Sequence, residues 1–182
     1  STLATAGIGP NEGKKIKLDE KIILKKNRNE EKNFSIDISL NRTNIIRVLK
    51  GAQYEYFMKE SHKEFFSSSY NITNLTDRMG MRLNGPIIKN TINTNIKSEG
   101  IIKGAIQVPA DGQPIILLTD HPTIGGYPKI AYVISADYDL LVQKKPGTNI
   151  SFKCIELDEA EKLYKDKQNK LSKIINGIKE IN

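Results

Sequence analysis

The chain has 182 residues, 28 basic side chains against 21 acidic ones for a net charge of +7, and 38% hydrophobic residues; that length sustains one well-buried domain, or one domain plus part of another. No apolar run approaches the roughly 20 residues that span a bilayer, and no basic region followed by an apolar one marks a signal peptide. The positive charge is not focused: the lysines of 14–32 and 162–179 are interleaved with Glu and Asp and lack interspersed stacking aromatics, so neither a nucleic-acid nor a membrane partner is expected.

Taken in chain order, Ser1–Gly13 is small and glycine-rich, without periodicity. It has no initiator methionine and reads like the middle of a domain, which suggests a truncated chain or a split gene. Lys14–Leu24 alternates apolar and polar residues, with Ile16, Leu18, Ile22 and Leu24 on one side of a turn at Asp19-Glu20, and predicts a β-hairpin. Lys25–Asn33 is charged and reads as a linker. Ile45–Leu49 is a compact apolar strand closed by Lys50-Gly51. Tyr54–Phe66 carries Tyr54, Phe57, Met58 and Phe65 near helical spacing and predicts one or two short helices. Tyr70–Thr73 and Arg78–Leu83 read as strands, the second closing at Gly85-Pro86. Further strands are expected at Ala105–Val108, Pro114–Thr119, Ala131–Ser135 and Asn149–Ile155, with a short helix at Asp137–Gln143 that turns Leu140 and Leu141 inward. Many short strands with few helices argue for a mainly β barrel or sandwich.

Leu157–Ile181 differs. Leu157, Tyr164, Leu171 and Ile178 recur every seven residues, the partner positions of the heptad fall at Ala160, Lys167, Ile174 and Ile181, and Asp158 is placed to cap the start. An amphipathic C-terminal helix follows, lying either on its own domain or against another subunit as a short coiled coil. The expected divisions are therefore 1–33, a remnant of a preceding lobe with its linker; 34–156, the β domain; and 157–182, the terminal helix.

The richest stretch runs from Ser98 to Ala136. Glycines, prolines and isolated polar residues alternate there with short apolar strands, the composition of a site built from loops on a β scaffold. The one cysteine, Cys154, excludes an internal disulfide and fits a reducing, cytoplasmic setting. With His62 and His121 as the only histidines, no transition-metal site is expected. No phosphate-binding loop of the Walker type and no Ser-His-Asp spacing is present.

Several segments resemble one family. Thr76–Pro86 is similar to its "SDRMGxRLxGP" pattern, Ser98–Pro109 to "SEGxxxGAIQVP", Asp111–Ile115 to the start of "DGQPIxLLxD", Gly125–Ala131 to "GGYPKIA", and Ile46–Phe57 to "IRVLxGPQxxxF". The family is the biotin-dependent carboxyltransferase-like group, which includes allophanate hydrolase subunit 2, the C subunit of bacterial 5-oxoprolinase, the carboxyltransferase part of urea amidolyase and the antagonist of a sporulation-kinase inhibitor. The resemblance covers about Ile45–Ile155, and Ser1–Leu24 resembles the end of a preceding lobe. It implies a cyclophilin-like β-barrel with a few short helices, and a further lobe of about a hundred residues. It also implies a partner subunit of related fold, the allophanate hydrolase subunit 1 type, and an amide or lactam as the small-molecule ligand. No cofactor is expected on this chain alone. ATP would serve the full complex from elsewhere, and biotin would enter only for a true carboxyltransferase.

Within that frame Lys129 and Gln107 are the candidate catalytic residues. A buried Gln offers two donors and an acceptor, suited to an amide or ureido group, and otherwise satisfies loop backbone. Lys129, after Gly125-Gly126-Tyr127-Pro128, is placed to neutralise a carboxylate or oxyanion, and otherwise is an exposed barrel lysine. Asp77 and Arg78 either position an anionic group or form a structural pair. Asp120, Tyr127, Gly125 and Gly126 are expected to line the same pocket, with Ser98 and Glu99 as weaker candidates. The sequence departs from the family pattern "DRQTTGGYPK" at His121, Pro122 and Ile124, and from "GPQ" at Ala52. These departures open a second reading, a binding module that has lost its chemistry.

Overall fold

The computed structural model describes residues 6–21, 33–35, 43–91 and 95–181. The chain divides into two compact units, 1–35 with 179–182, and 36–178. In the first, a short 3-10 turn spans Pro10–Gly13, and strand β1 (Asn33–Ser35) pairs antiparallel with a strand at Lys179–Ile181. The expected hairpin arm is not a strand: Lys14–Lys21 makes no ladder, and the turn falls at Leu18-Asp19, one residue early. The Glu20 amide donates to the Lys17 carbonyl (3.2 Å) and the Lys17 amide to the Glu20 carboxylate (2.8 Å), so a side chain closes this turn. Ile16 and Leu18 are consequently exposed. The second arm, 22–24, and linker residues 25–32 lie outside the described residues, and Asn33 opens β1.

The second unit is mainly β. In chain order it holds β2 (Ile45–Lys50), α1 (Lys59–Ser67), β3 (Ser69–Ile72), β4 (Gly80–Asn84), β5 (Glu99–Gly100), β6 (Ala105–Gln107), β7 (Ile115–Leu117), β8 (Ile124–Gly125), β9 (Lys129–Val133), α2 (Ser135–Val142), β10 (Asn149–Cys154) and α3 (Leu157–Asn176). The strand at Lys179–Ile181 is β11. Seven strands close a barrel in the order β10-β2-β9-β6-β7-β4-β3. Every pair in it is antiparallel except β10 with β2, which sets Phe152 beside Ile46. β5 and β8 form a separate two-stranded ribbon, Glu99 opposite Gly125.

The period-2 pattern selects the interior. On β2, Ile46 and Val48 are fully buried while Ile45 is half-exposed, and each such aliphatic side chain contributes about 1.5–3 kcal/mol on burial. One end of the core is aromatic: Phe65 of α1 stacks on Phe152 with ring centroids 4.6 Å apart, and Tyr70 tilts against both. The expected helical region resolves into a 3-10 turn at Tyr54–Tyr56 followed by α1. α2 begins at Ser135, two residues before the expected Asp137, and buries Asp137, Tyr138 and Leu141; Leu141 turns inward as expected, while Leu140, also expected inward, is only half-buried.

Three further boundaries are corrected. β4 begins at Gly80, two residues after the expected Arg78, because the Asp77 carboxylate closes the turn before it. β9 begins at Lys129, two residues before the expected Ala131, because the lysine is buried rather than part of a solvated loop. α3 ends at Asn176, where Gly177 caps it by donating to the carbonyls of Lys173 and Ile174, so Ile181 belongs to β11 rather than to the heptad stripe. Its N-cap position is Glu156, and Asp158 lies inside the first turn without a side-chain cap bond. There it still complements the helix dipole. The helix rests on its own domain through Ala160 and Leu163, which pack with Leu49, Ile134, Ala136 and Ile155. Lys167, the one polar position of the expected seam, has a structural reason: its Nζ pairs with Asp139 of α2 at 2.6 Å.

Candidate functional site

The site grows from a backbone contact. Gly51 follows β2 and lies so closely against β9 that a Cβ there would overlap the Lys129 carbonyl. This approach lets the Gly51 amide donate to Ile130 and the Gln53 amide to Lys129. It draws the Gln53 side chain, 8% exposed, into the interior. Gln53 then works from both ends of its carboxamide: Oε1 accepts the Lys129 amide (3.2 Å) and Nε2 donates to the Glu99 carboxylate (3.0 Å).

Lys129 is 1% exposed and its Nζ forms an ion pair with Glu99. The sequence leaves open a solvated barrel lysine; the structure buries it. An ammonium out of water needs a charged, hydrogen-bonded partner, and Glu99 on the short strand β5 supplies it. The Lys129 hydrogen bond, and then that of Gln53, hold the Glu99 carboxyl below the usual range despite some opposing desolvation. The Glu99 side chain remains 44% exposed, so the pair sits at the boundary between core and solvent.

Gln107 is opposite Lys129 in the β6–β9 register, next to an irregularity after Ile106. Facing residues in an antiparallel pair lie about 5 Å apart at Cβ. Gln107 is 5% exposed, and the one hydrogen bond of its side chain among the described residues is a long one, Nε2 to the Tyr127 carbonyl at 3.4 Å. It borders a cavity of about 200 Å³ walled by Asp77, Met79, Arg82, Pro122 and Tyr127 among others. The β5–β8 ribbon presses on this group: a Cβ on Gly125 would lie 2.8 Å from Gln107 Nε2 and 3.1 Å from Ile101. Gly126 accepts the Ile96 amide through its carbonyl, and a Cβ on it would lie 3.4 Å from Ser98 Oγ.

The other candidates separate into two groups. Tyr127 and Asp77 line the cavity with Gln107. The Asp77 carboxylate is engaged in the turn, accepting the amides of Met79 (2.8 Å) and Gly80 (3.0 Å). Arg78 turns outward to Asp120, with Nε–Oδ2 2.7 Å and a second bond of 3.2 Å. That pair is exposed and joins two loops, so the Asp–Arg partnership exists, with Asp120 in place of Asp77. In the departing loop His121 Nδ1 lies 2.6 Å from the Pro122 carbonyl, Pro122 reaches the cavity wall, and Ile124 is exposed. Gln53 is the residue that reading site by site passes over; its signal is its place in the Gly51-Ala52-Gln53 motif. Among the described residues no group of three or more His, Cys, Asp or Glu side chains is disposed to hold a metal ion, and no helix is long and apolar enough to cross a membrane.

A closed barrel carrying a buried lysine and glutamine under a two-stranded ribbon defines a β-barrel domain with a loop-built pocket. The chain belongs to the carboxyltransferase-domain family, subdomains A and B, whose family model matches residues 1–154. It is 37% identical to the C subunit of 5-oxoprolinase from Escherichia coli over 168 residues, covering 92% of this chain and 54% of that protein. It is also 37% identical to the same subunit from Haemophilus influenzae over 138 residues, covering 76% of this chain and 45% of the relative. The chain thus spans about half the length of the curated relatives it matches. The K. lactis urea amidolyase structure superposes with a TM-score of 0.70 over 75% of this chain and 9% of that one, at 24% identity, a likeness of fold.

Proposed function

We propose that this chain supplies the barrel portion of a subunit in a multi-subunit amide or lactam hydrolase of the 5-oxoprolinase or allophanate hydrolase type. Its pocket would take an amide or ureido ligand at a subunit interface. Family membership and the similarity to the C subunit of 5-oxoprolinase support the assignment to such a complex. The observation that carries the chemistry is the juxtaposition of Lys129 and Gln107, buried and adjacent in register. The Gln107 carboxamide offers an acceptor and donors to the edge of an amide. The Lys129 ammonium, on leaving Glu99, neutralises a carboxylate or a developing oxyanion in a site of low dielectric. ATP, where the complex uses it, binds another subunit.

The test is ATP-dependent conversion of 5-oxoproline to glutamate by this chain assembled with its partner subunits. Activity that falls at least about a hundredfold in Lys129→Ala, the scale of losing one oxyanion donor, supports the reading. Absence of activity in a complex proven to assemble overturns it. A second reading, a binding module without chemistry, is favoured by Pro122, which puts an apolar ring into the cavity wall where the family pattern has Gln. It predicts partner binding that survives both Lys129→Ala and Gln107→Ala.

A further inference from the structure

Given the ligand pocket proposed above, on which this rests, we infer that Arg82 is its carboxylate-recognition residue, so that the ligand is a small amide or lactam carrying a carboxylate rather than a neutral amide. Three strand pairings set the geometry. Arg82 of β4 lies opposite Ile115 of β7, Ile115 opposite Gln107 of β6, and Gln107 opposite Lys129 of β9. Residues paired in this way share one face of a sheet. Here it is the outer face of the barrel, because their chain neighbours Met81, Ile116, Ile106 and Ile130 all belong to the core. Burial falls along the row: Lys129 and Gln107 are buried, Ile115 is half-buried and Arg82 is exposed. The cavity of about 200 Å³ lies on this row, bordered by both Arg82 and Gln107, with Ile115 between them in register.

The three described arginines differ in their partners. Arg47 and Arg78 pair with Asp137 and Asp120. Arg82 has no ion pair and no side-chain hydrogen bond among the described residues. A guanidinium stays charged in proteins, and its planar fork of donors matches a carboxylate bidentately. Asp77, the one acidic side chain among the described residues of the wall, is committed through Oδ1 to the Met79 and Gly80 amides. Arg82 and Gln107 stand two interstrand spacings apart, about 9–10 Å between backbones. The cavity is smaller than the roughly 300–1,000 Å³ of drug-sized sites, which restricts the ligand to a small molecule that joins the two groups. Ile115 gives its carbon frame an apolar contact. Capture of the carboxylate at Arg82 leaves Lys129 for the oxyanion, so the two cations have separate tasks.

The experiment is isothermal titration calorimetry on the whole chain, alone and assembled with its partner subunits. The probes are 5-oxoproline and 2-pyrrolidinone, which keeps the lactam and lacks the carboxylate. The expected result is tighter binding of 5-oxoproline. Arg82→Gln should weaken 5-oxoproline about ten- to a hundredfold, the scale of hydrogen bonds to a charged group, and leave the weaker binding of 2-pyrrolidinone unchanged. Arg82→Lys should restore part of the loss. In turnover Arg82→Gln should raise KM far more than it lowers kcat. Its melting temperature should match wild type, because the side chain is exposed and unpartnered, which separates recognition from folding. Equal binding of 5-oxoproline by wild type and Arg82→Gln, 2-pyrrolidinone binding as tightly as 5-oxoproline, or no binding of either probe to chain or assembly overturns the inference. So does weakened subunit association in Arg82→Gln, which gives the guanidinium to a carboxylate of another subunit. Arg82-dependent binding of 5-oxoproline without ATP-dependent turnover supports this inference and overturns the hydrolase reading; turnover indifferent to Arg82→Gln does the reverse.

Discussion

Glu99→Gln preserves the shape of the side chain and removes its charge, and so isolates what the buried lysine needs. The Lys129 side chain is 2% exposed and cannot turn to water without leaving the core. Breaking a fully buried pair by removing one partner costs about 3–5 kcal/mol. Here Glu99 is 44% exposed, so water reaches the pair and screening lowers the figure to about 1–2 kcal/mol. Lys129→Met is the mirror case. It keeps a buried stem of similar volume and releases a carboxylate that rehydrates at the surface, at a cost below about 1 kcal/mol. For a chain of this length 1 kcal/mol moves Tm by about 2–4 °C. Glu99→Gln should therefore lower Tm by about 2–8 °C at neutral pH in a thermal melt followed by circular dichroism, with Lys129→Met clearly above it. The double variant should track Lys129→Met. If Lys129→Met proves the more damaging single change, the ammonium does not depend on Glu99 and the reasoning is refuted. Acidity supplies a second arm. Glu99 titrates lower in the folded chain than in the unfolded one, so its contribution is complete above about pH 4.5 and is lost as pH falls through the lower folded value. The gap between wild type and Glu99→Gln should close in that acid window and not at neutral pH.

The chain's other ion pairs should rank by burial. Arg47→Met strands the Asp137 carboxylate, whose side chain is 4% exposed and which accepts both the Arg47 amide and its guanidinium, and should cost about 3 kcal/mol in urea unfolding. Arg78→Ala, which breaks the exposed pair with Asp120, should cost less than about 1 kcal/mol. Gly51→Ala forces a Cβ into the Lys129 carbonyl. It should part β2 from β9 and abolish cooperative unfolding, and a variant that melts like wild type would contradict the geometry.

The barrel is legible wherever period-2 burial marks a strand. Ile150 and Phe152 on β10 alternate with polar residues and face the core, while on β2, where Ile45, Ile46, Val48 and Leu49 are all apolar, burial still alternates and selects Ile46 and Val48. What the pattern does not carry is closure. β2 and β10 are about a hundred residues apart and pair in parallel, and nothing local announces that contact. The pattern starts β9 two residues late because a lysine reads as a loop residue until its counter-ion is known. The counter-ion is 30 residues away on a two-residue strand, and the amide that orients it, Gln53, is 46 residues from Glu99. The end of α3 is hidden for another reason: its heptad stripe runs on through Ile178, while Gly177 and the pairing of β11 with β1 end the helix.

The same distances explain why Gln107 and Lys129 need the β5–β8 ribbon. β6 and β9 bring the two side chains together, yet neither strand supplies a charge for the ammonium. β5 brings Glu99, and β5 is held by pairing with β8. β8 approaches Gln107 closely only because position 125 has no side chain. Gly125→Ala therefore tests the ribbon without touching any charge. The added methyl must displace Gln107 Nε2, 2.8 Å away, or Ile101, 3.1 Å away. If the ribbon lifts, Glu99 moves off Lys129, and the variant should lose the acid-window signature of Glu99 while the barrel, closed by seven other strands, still unfolds cooperatively. Retention of that signature would show that Glu99 is placed by Gln53 alone.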